Sequence, residues 1–218
     1  LNLKGAGDLT ISASDMAATV AVNASTSTGV IDFTAEAGLT SLTFTGGTGR
    51  TTVTANTTGT VTVTTGAAND TINVSGSNAT AIITAGAGDD EVKVGASSNV
   101  TTVDVINGGD GTDTITISDT TINATTKTNL AKGVSNFEYV KTTATAETTV
   151  DFVALSSYNT VIVAGTSGAT AAVADTAGNA SINVTKIENT DALVIAAART
   201  GQAGGNDGSD SDNAGANG

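Results

Sequence analysis

The sequence predicts an all-β chain wound as a solenoid, with coils of about 20 residues and glycine-rich turns gathered along one edge. Three observations carry this reading. Residues 108–116, GGDGTDTIT, fit the nonapeptide G-G-x-G-x-D-x-U-x (U a large apolar residue) at every specified place, and residues 85–93, AGAGDDEVK, fit it with Ala85 in place of the first glycine. Looser copies start at Gly46 and Thr65, so the starts at 46, 65, 85 and 108 are separated by 19, 20 and 23 residues. Finally, 39% of the chain is hydrophobic but only 3% is aromatic. A core built from Val, Ile, Leu and Ala suits a narrow coil better than a large globule.

Taken from the start, residues 5–11, GAGDLTI, resemble the turn, but Leu9 stands where the aspartate belongs and Asp8 comes one place early, which predicts a purely structural turn. Val20 and Val22, Ile31 and Phe33, and Leu42 and Phe44 then alternate with polar residues, as half-buried strands do. Residues 46–54 keep all three glycines but carry Thr51 at the sixth place, giving a turn without its carboxylate. Residues 65–73 reverse this, losing glycines while keeping Asp70. Since about 18 residues make a full coil of two nonapeptides, the spacings put these turns on one edge. Different turns, near Ser77-Asn78 and Ser98-Asn99, serve the other edge.

Between the turns, Ile72 and Val74, Val92 and Val94, and Ile115 and Ile117 are expected to stack inward on one wall. Thr71, Asn73, Glu91, Lys93, Thr114 and Thr116 are expected to face water. Ala81 and Ile83, followed by Val103 and Val105, are assigned to the opposite wall. Residues 1–118 thus form one coiled region. Residues 119–136 read as an irregular or short helical excursion containing Leu130, Ala131 and Val134. Residues 137–198 return to strands at 137–140, 149–153, 160–163, 171–173, 181–184 and 192–195, continuing the solenoid. Residues 199–218 form a Gly/Asp-rich tail or linker with no apolar side chain larger than Ala.

The turn has a chemistry as well as a shape. Glycines allow a backbone path that a Cβ obstructs, exposing carbonyl oxygens, and the aspartate adds a carboxylate. Calcium takes about six to eight oxygens at roughly 2.3–2.6 Å in irregular geometry, which such a loop can offer. The candidate ligands are the turn residues Gly66, Ala68 and Asp70; Gly86, Gly88 and Asp90; and Gly109, Gly111 and Asp113. Asp207, Asp210 and Asp212 make a weaker cluster, for which a solvated acidic linker is the plainer reading. Ordinary chain reversal is the corresponding alternative for every Gly-Asp turn. Asp89, Asp104, Asp110 and Asp119 are assigned to surface charge.

On these motifs, covering about residues 65–118, the chain resembles the RTX (repeats-in-toxin) calcium-binding β-roll family. Its Thr-, Ala-, Val- and Asn-rich composition is most similar to bacterial surface-layer proteins, and residues 134–138, VSNFE, add a weaker similarity. The resemblance implies a right-handed parallel β-roll with Ca2+ held between successive coils. It also implies type I secretion and an extracellular place on the bacterial cell surface.

Composition narrows function further. A net charge of −13 repels nucleic-acid phosphates and favours divalent cations. With no His and no Cys, the common zinc, haem, thiol and Ser-His-Asp chemistries lack their residues. No apolar run approaches the roughly 20 residues of a membrane helix. No secretory leader precedes Leu1, which begins in mid-pattern, so the sequence reads as a piece of a longer chain. Catalysis is not expected: flat walls offer no cleft, and the eight Lys and Arg are scattered, unlike the clustered bases of β-helix polysaccharide lyases. The favoured reading is a self-assembling structural unit of a surface layer or filament, its partners being calcium, its own copies and, through another domain, cell-surface polysaccharide. The alternative is the stalk or repeat region of a secreted RTX adhesin or toxin.

Overall fold

The computed structural model describes residues 1–13, 19–77 and 80–143, and beyond them the strand segments 148–151, 160–163, 171–174, 181–184 and 193–196. It shows a parallel β-solenoid of about six turns. One wall is a seven-stranded sheet, in spatial order β1 (Asn2–Gly5), β3 (Thr19–Ser27), β5 (Ser41–Thr45), β7 (Val61–Thr64), β9 (Ala81–Ala87), β11 (Val105–Asp110) and β14 (Val134–Ser135). The facing wall is a nine-stranded sheet, in the order β2 (Leu9–Ala13), β4 (Ile31–Leu39), β6 (Thr51–Thr57), β8 (Thr71–Asn73), β10 (Glu91–Gly95), β12 (Thr114–Ile117), β15 (Tyr139–Thr142), β17 (Thr160–Val163) and β19 (Ser181–Val184). A four-stranded sheet, β13 (Thr121–Ile122), β16 (Thr148–Asp151), β18 (Ala171–Ala174) and β20 (Leu193–Ala196), completes the set. Every pairing is parallel, each strand lying on its equivalent one coil later.

Alternation explains the core. In the nine-stranded sheet Phe33, Val53, Ile72, Val92, Ile115 and Val140 are register partners in sequence, and all are buried. Val22, Phe44, Val63, Ile83 and Ile106 form the matching column on the opposite wall. The two columns meet at Phe33 and Phe44, whose ring centroids lie 5.5 Å apart. At about 1.5–3 kcal/mol for each fully buried large apolar side chain, these stacks are the main folding force.

Two assignments need correction. Val103 and Val105 do not line the interior; they are 63% and 56% exposed, and Ile106 is the residue paired with Ile83. Apolar residues occupy both parities of 103–106, so alternation cannot choose between registers, and the strand is instead set by the turn before it. Thr116 is buried rather than water-facing, because its hydroxyl donates to Glu91 at 2.7 Å and is covered there.

Within the excursion, α1 (Ala124–Leu130) begins at Asn123, whose side chain accepts the Thr125 and Thr126 N–H groups while Thr126 answers with its hydroxyl. Leu130 is buried, Val134 is partly buried and Ala131 is exposed. No helix among the described residues is long and apolar enough to cross a membrane. Past the helix, β15, β17 and β19 extend the nine-stranded sheet, and β16, β18 and β20 stack on β13.

Candidate functional site

All the glycine-rich turns lie on one edge, between a strand of the seven-stranded sheet and the next strand of the nine-stranded one. Their glycines stack. A Cβ on Gly66 would overlap the Gly47 carbonyl oxygen, one on Gly86 that of Gly66, and one on Gly109 that of Gly86. A second row runs through Gly49, Ala68, Gly88 and Gly111, where Gly111 sits at φ +134° against the Gly88 carbonyl. Close coil-to-coil approach thus requires most of these glycines before any ligand is considered. The carbonyls point along the stack, and that of Gly66 accepts the Ala87 N–H at 2.9 Å.

Beside this ladder stands a column of side chains at one register position: Leu9, Ile31, Thr51, Asp70, Asp90, Asp113 and Glu138. From Asp70 onward each carboxylate reaches back one coil to a backbone N–H. Asp70 accepts from Thr51 at 2.6 Å, Asp90 from Asp70 at 2.7 Å, and Asp113 from Asp90 at 2.8 Å. Glu138 accepts from Asp113 at 2.8 Å. The steps span 19, 20, 23 and 25 residues, so the first three equal the spacings between motif starts. Asp70 and Asp90 are each 2% exposed and Asp113 is 0% exposed.

The second oxygen of each carboxylate separates them. Asp70 Oδ2 accepts the Gly66 N–H at 3.2 Å. Asp90 Oδ2 and Asp113 Oδ2 are buried with no hydrogen-bond partner. Buried polar atoms are nearly always satisfied, so two successive orphans on adjacent coils demand a cause. Electrostatics sharpens the demand. Burial is the main effect pushing Asp90 up, to about 7, with the neighbouring charges of Asp70, Asp113 and Asp89 adding to it against the Asp70 N–H. Burial likewise raises Asp113, helped by Glu138, Asp89 and Asp110. It raises Asp70 as well, opposed by the Thr51 N–H, the Thr65 hydroxyl, the Gly66 N–H and Arg50.

Outside the buried column a counter-running ladder links Asn69 to Asp89 and Asp89 to Thr112, each side chain accepting the N–H of the following coil at 2.9 Å. Asp89 and Asp110 are exposed, as the sequence suggests. Asp104 is not a surface charge: it is buried on the far edge, where it accepts from Ala81 N at 2.7 Å and from the Thr101 N–H and hydroxyl. Asp119, half-buried, accepts from both the Ser97 N–H and hydroxyl. On the outer face, burial works to raise Glu91, but bonds from Lys141 and Thr116 and the charges of Lys141 and Lys93 prevail, holding it below its ordinary value. Glu138 is the column member that motif reading missed. Its signal is a carboxylate directly before an alternating strand, 138 before 139–142, as Asp113 stands before 114–117. Asp207, Asp210 and Asp212 lie outside the described residues.

The donors fit a hard cation in kind. They are oxygen alone, two of them are buried and unspent, and a positive charge between adjacent coils relieves the repulsion along the column. Among the described residues no three acidic side chains converge on one point, so backbone, hydroxyl or water oxygens must complete any coordination shell. No protein-family model, no curated protein and no solved structure matches the chain.

Proposed function

We propose that this chain is a structural, calcium-binding extracellular protein: a building block of a bacterial surface layer or filament whose solenoid is tightened by Ca2+ on its glycine edge and which self-assembles when the ion is bound. One observation carries the reading, the pair of buried carboxylate oxygens on Asp90 and Asp113 that have no partner on adjacent coils. The β-roll resemblance supplies the extracellular setting and the surface-layer assignment, and the parallel solenoid is compatible with it. Asp90 and Asp113 would hold the ion, with Asp70 and Glu138 flanking them in the same column. When bound, the cation supplies charge neutralisation. The chain's own work is to bury the carboxylates at one spacing and to fix them by their N–H bonds, so that little ordering remains at binding.

The chain is read as non-enzymatic: among the described residues Asp70, Asp90, Asp104 and Asp113 are engaged by backbone N–H groups, and Glu91, which lines an open depression with Asp89, Asp90 and Lys141, is ion-paired to Lys93 and Lys141. The test is circular dichroism with isothermal titration of the full chain against CaCl2 and KCl. Calcium, but not potassium, should raise thermal stability well above its value in chelator, with saturable heat. Full stability in chelator with no heat of calcium binding overturns the calcium reading.

A further inference from the structure

The seven-stranded sheet presents an outer face unlike the described outer face of the nine-stranded sheet. Its central outward column is Thr43, Thr62, Ile82 and Val105, register partners on successive coils. The next column, from Thr45 to Asn107, is threonine and asparagine alone. From β3 through β11 the outward positions carry no charged side chain until Asp110 at the glycine edge. The opposite outer face carries Asp32, Glu91, Lys93 and Lys141. Within the uncharged face Ile82 is 41% exposed and its partner Val105 56%, and Val103 continues the apolar patch into the preceding turn.

We infer that this face, centred on Ile82 and Val105, is the surface through which one copy of the chain packs side by side against another. The inference rests on the assembly reading above and names the contact that assembly uses. Two properties select a second copy as the occupant. The chain carries a net charge of −13, so close approach of two copies is opposed wherever carboxylates face each other, and this sheet face is where they do not. Side-chain columns repeat at the coil spacing, about 4.8 Å, and an identical face has the same repeat, so threonine, isoleucine and valine rows of two copies can interdigitate along their whole length. The area sets the strength. Five strands by about four residues give roughly 300 Å2 per copy, well below the approximately 800 Å2 per partner of a stable complex. The contact is therefore weak singly and suited to repetition in an array.

The test compares Val105→Glu and Ile82→Glu with Thr54→Glu, which makes the same charge change on the outer face of β6. Sedimentation velocity and negative-stain microscopy of the full chain in millimolar calcium read association; circular dichroism checks folding, and calcium titration is run in parallel. Either face variant should raise the concentration at which association is half complete by about tenfold or abolish arrays, while Thr54→Glu shifts it by less than about twofold. Equal shifts in all three variants overturn the inference, leaving the assembly reading standing. Wild-type chain that binds calcium yet stays monomeric overturns both. Arrays that persist in Val105→Glu while retention on cell-wall polysaccharide is lost assign the face to polysaccharide and overturn the copy-to-copy contact.

Discussion

The two edges of the solenoid solve the same problem with the same device and differ in what they leave over. Backbone N–H groups at the coil corners lack sheet partners, and on both edges a side-chain oxygen from the following coil accepts them. On the far edge Ser77 serves Thr57, Asp104 serves Ala81 and Asp119 serves Ser97, at 2.8, 2.7 and 2.6 Å. There the acids spend their second oxygen too, Asp104 on Thr101 and Asp119 on the Ser97 hydroxyl. On the glycine edge Asp90 and Asp113 spend one oxygen and keep one. An aspartate at a coil corner is therefore architecture by itself. What marks a candidate ion site is a buried oxygen that the architecture does not consume.

The largest effect that tests this contrast belongs to the far edge. Asp104→Ala strips the acceptor from the buried Ala81 N–H, leaving it unsatisfied at a cost of about 1–3 kcal/mol, and removes the two bonds from exposed Thr101, each contributing about 0.5–1.5 kcal/mol. A total loss of roughly 2–4 kcal/mol in urea denaturation is expected, the same in calcium and in chelator. A loss confined to calcium-containing buffer would erase the distinction between the edges.

The next effect is smaller and changes sign with conditions. In Asp90→Asn the amide keeps an oxygen for the Asp70 N–H and removes a buried charge from between Asp70 and Asp113. In chelator at pH 8 this should stabilise the chain by about 1–3 kcal/mol, while in calcium it should destabilise it. The pH profile follows from the same residue. The carboxyl of Asp90 is raised from 3.8 to about 7 in the folded state, so the folded chain holds a proton that the unfolded chain releases. Its contribution in chelator is fully present below about pH 4 and is lost as pH rises through about 7, because the unfolded state then binds fewer protons than the folded one. Asp70 and Asp113, raised by the same burial, act in the same direction. Thermal melts in chelator from pH 4 to 8 should show Tm falling with pH, less steeply in Asp90→Asn. A Tm that climbs over this range in the wild type would mean that the carboxylates are not held in a desolvated column.

How much of this was legible follows the same division. The glycine edge is visible because its turns obey steric rules that only certain residues meet, and motif spacings of 19, 20 and 23 residues are the lengths of the coils themselves. Leu9 and Thr51 occupy the column position that reading gave them. The far edge has no such grammar. Its turn at 101–104 is closed by hydrogen bonds that one aspartate accepts from residues 3 and 23 positions away, and local alternation carries no trace of the longer one. That is why Asp104 reads as a surface charge and why Val105 is placed inside by parity when Ile106 belongs there. Glu138 escapes motif reading because the helical excursion stretches its coil to 25 residues and no glycine turn announces it.

The smallest effects discriminate within the glycine edge. From spacing alone Asp90 belongs to two equal gaps, one shared with Asp70 and one with Asp113. The structure makes the three acids unequal: Asp70 has given its second oxygen to the Gly66 N–H, while Asp90 and Asp113 each retain one without a partner. Removing a carboxylate that retains an unpartnered oxygen takes away both a ligand and part of the charge that balances a divalent ion. Asparagine keeps the cross-coil N–H bond in each case; at Asp90 and Asp113 its NH2 replaces only the unpartnered oxygen, whereas at Asp70 it also gives up the bond from the Gly66 N–H. Asp90→Asn and Asp113→Asn should therefore raise the calcium concentration for half-maximal stabilisation by about tenfold, and Asp70→Asn by about threefold or less. Asp110→Ala, exposed and outside the column, should change stability by no more than about 0.5 kcal/mol and leave the midpoint in place. Thermal melts of the four variants across a calcium titration, followed by circular dichroism, decide it. A midpoint that moves as much for Asp110→Ala as for Asp113→Asn would show that the protein responds to its overall negative charge rather than to two oxygens left over between adjacent coils.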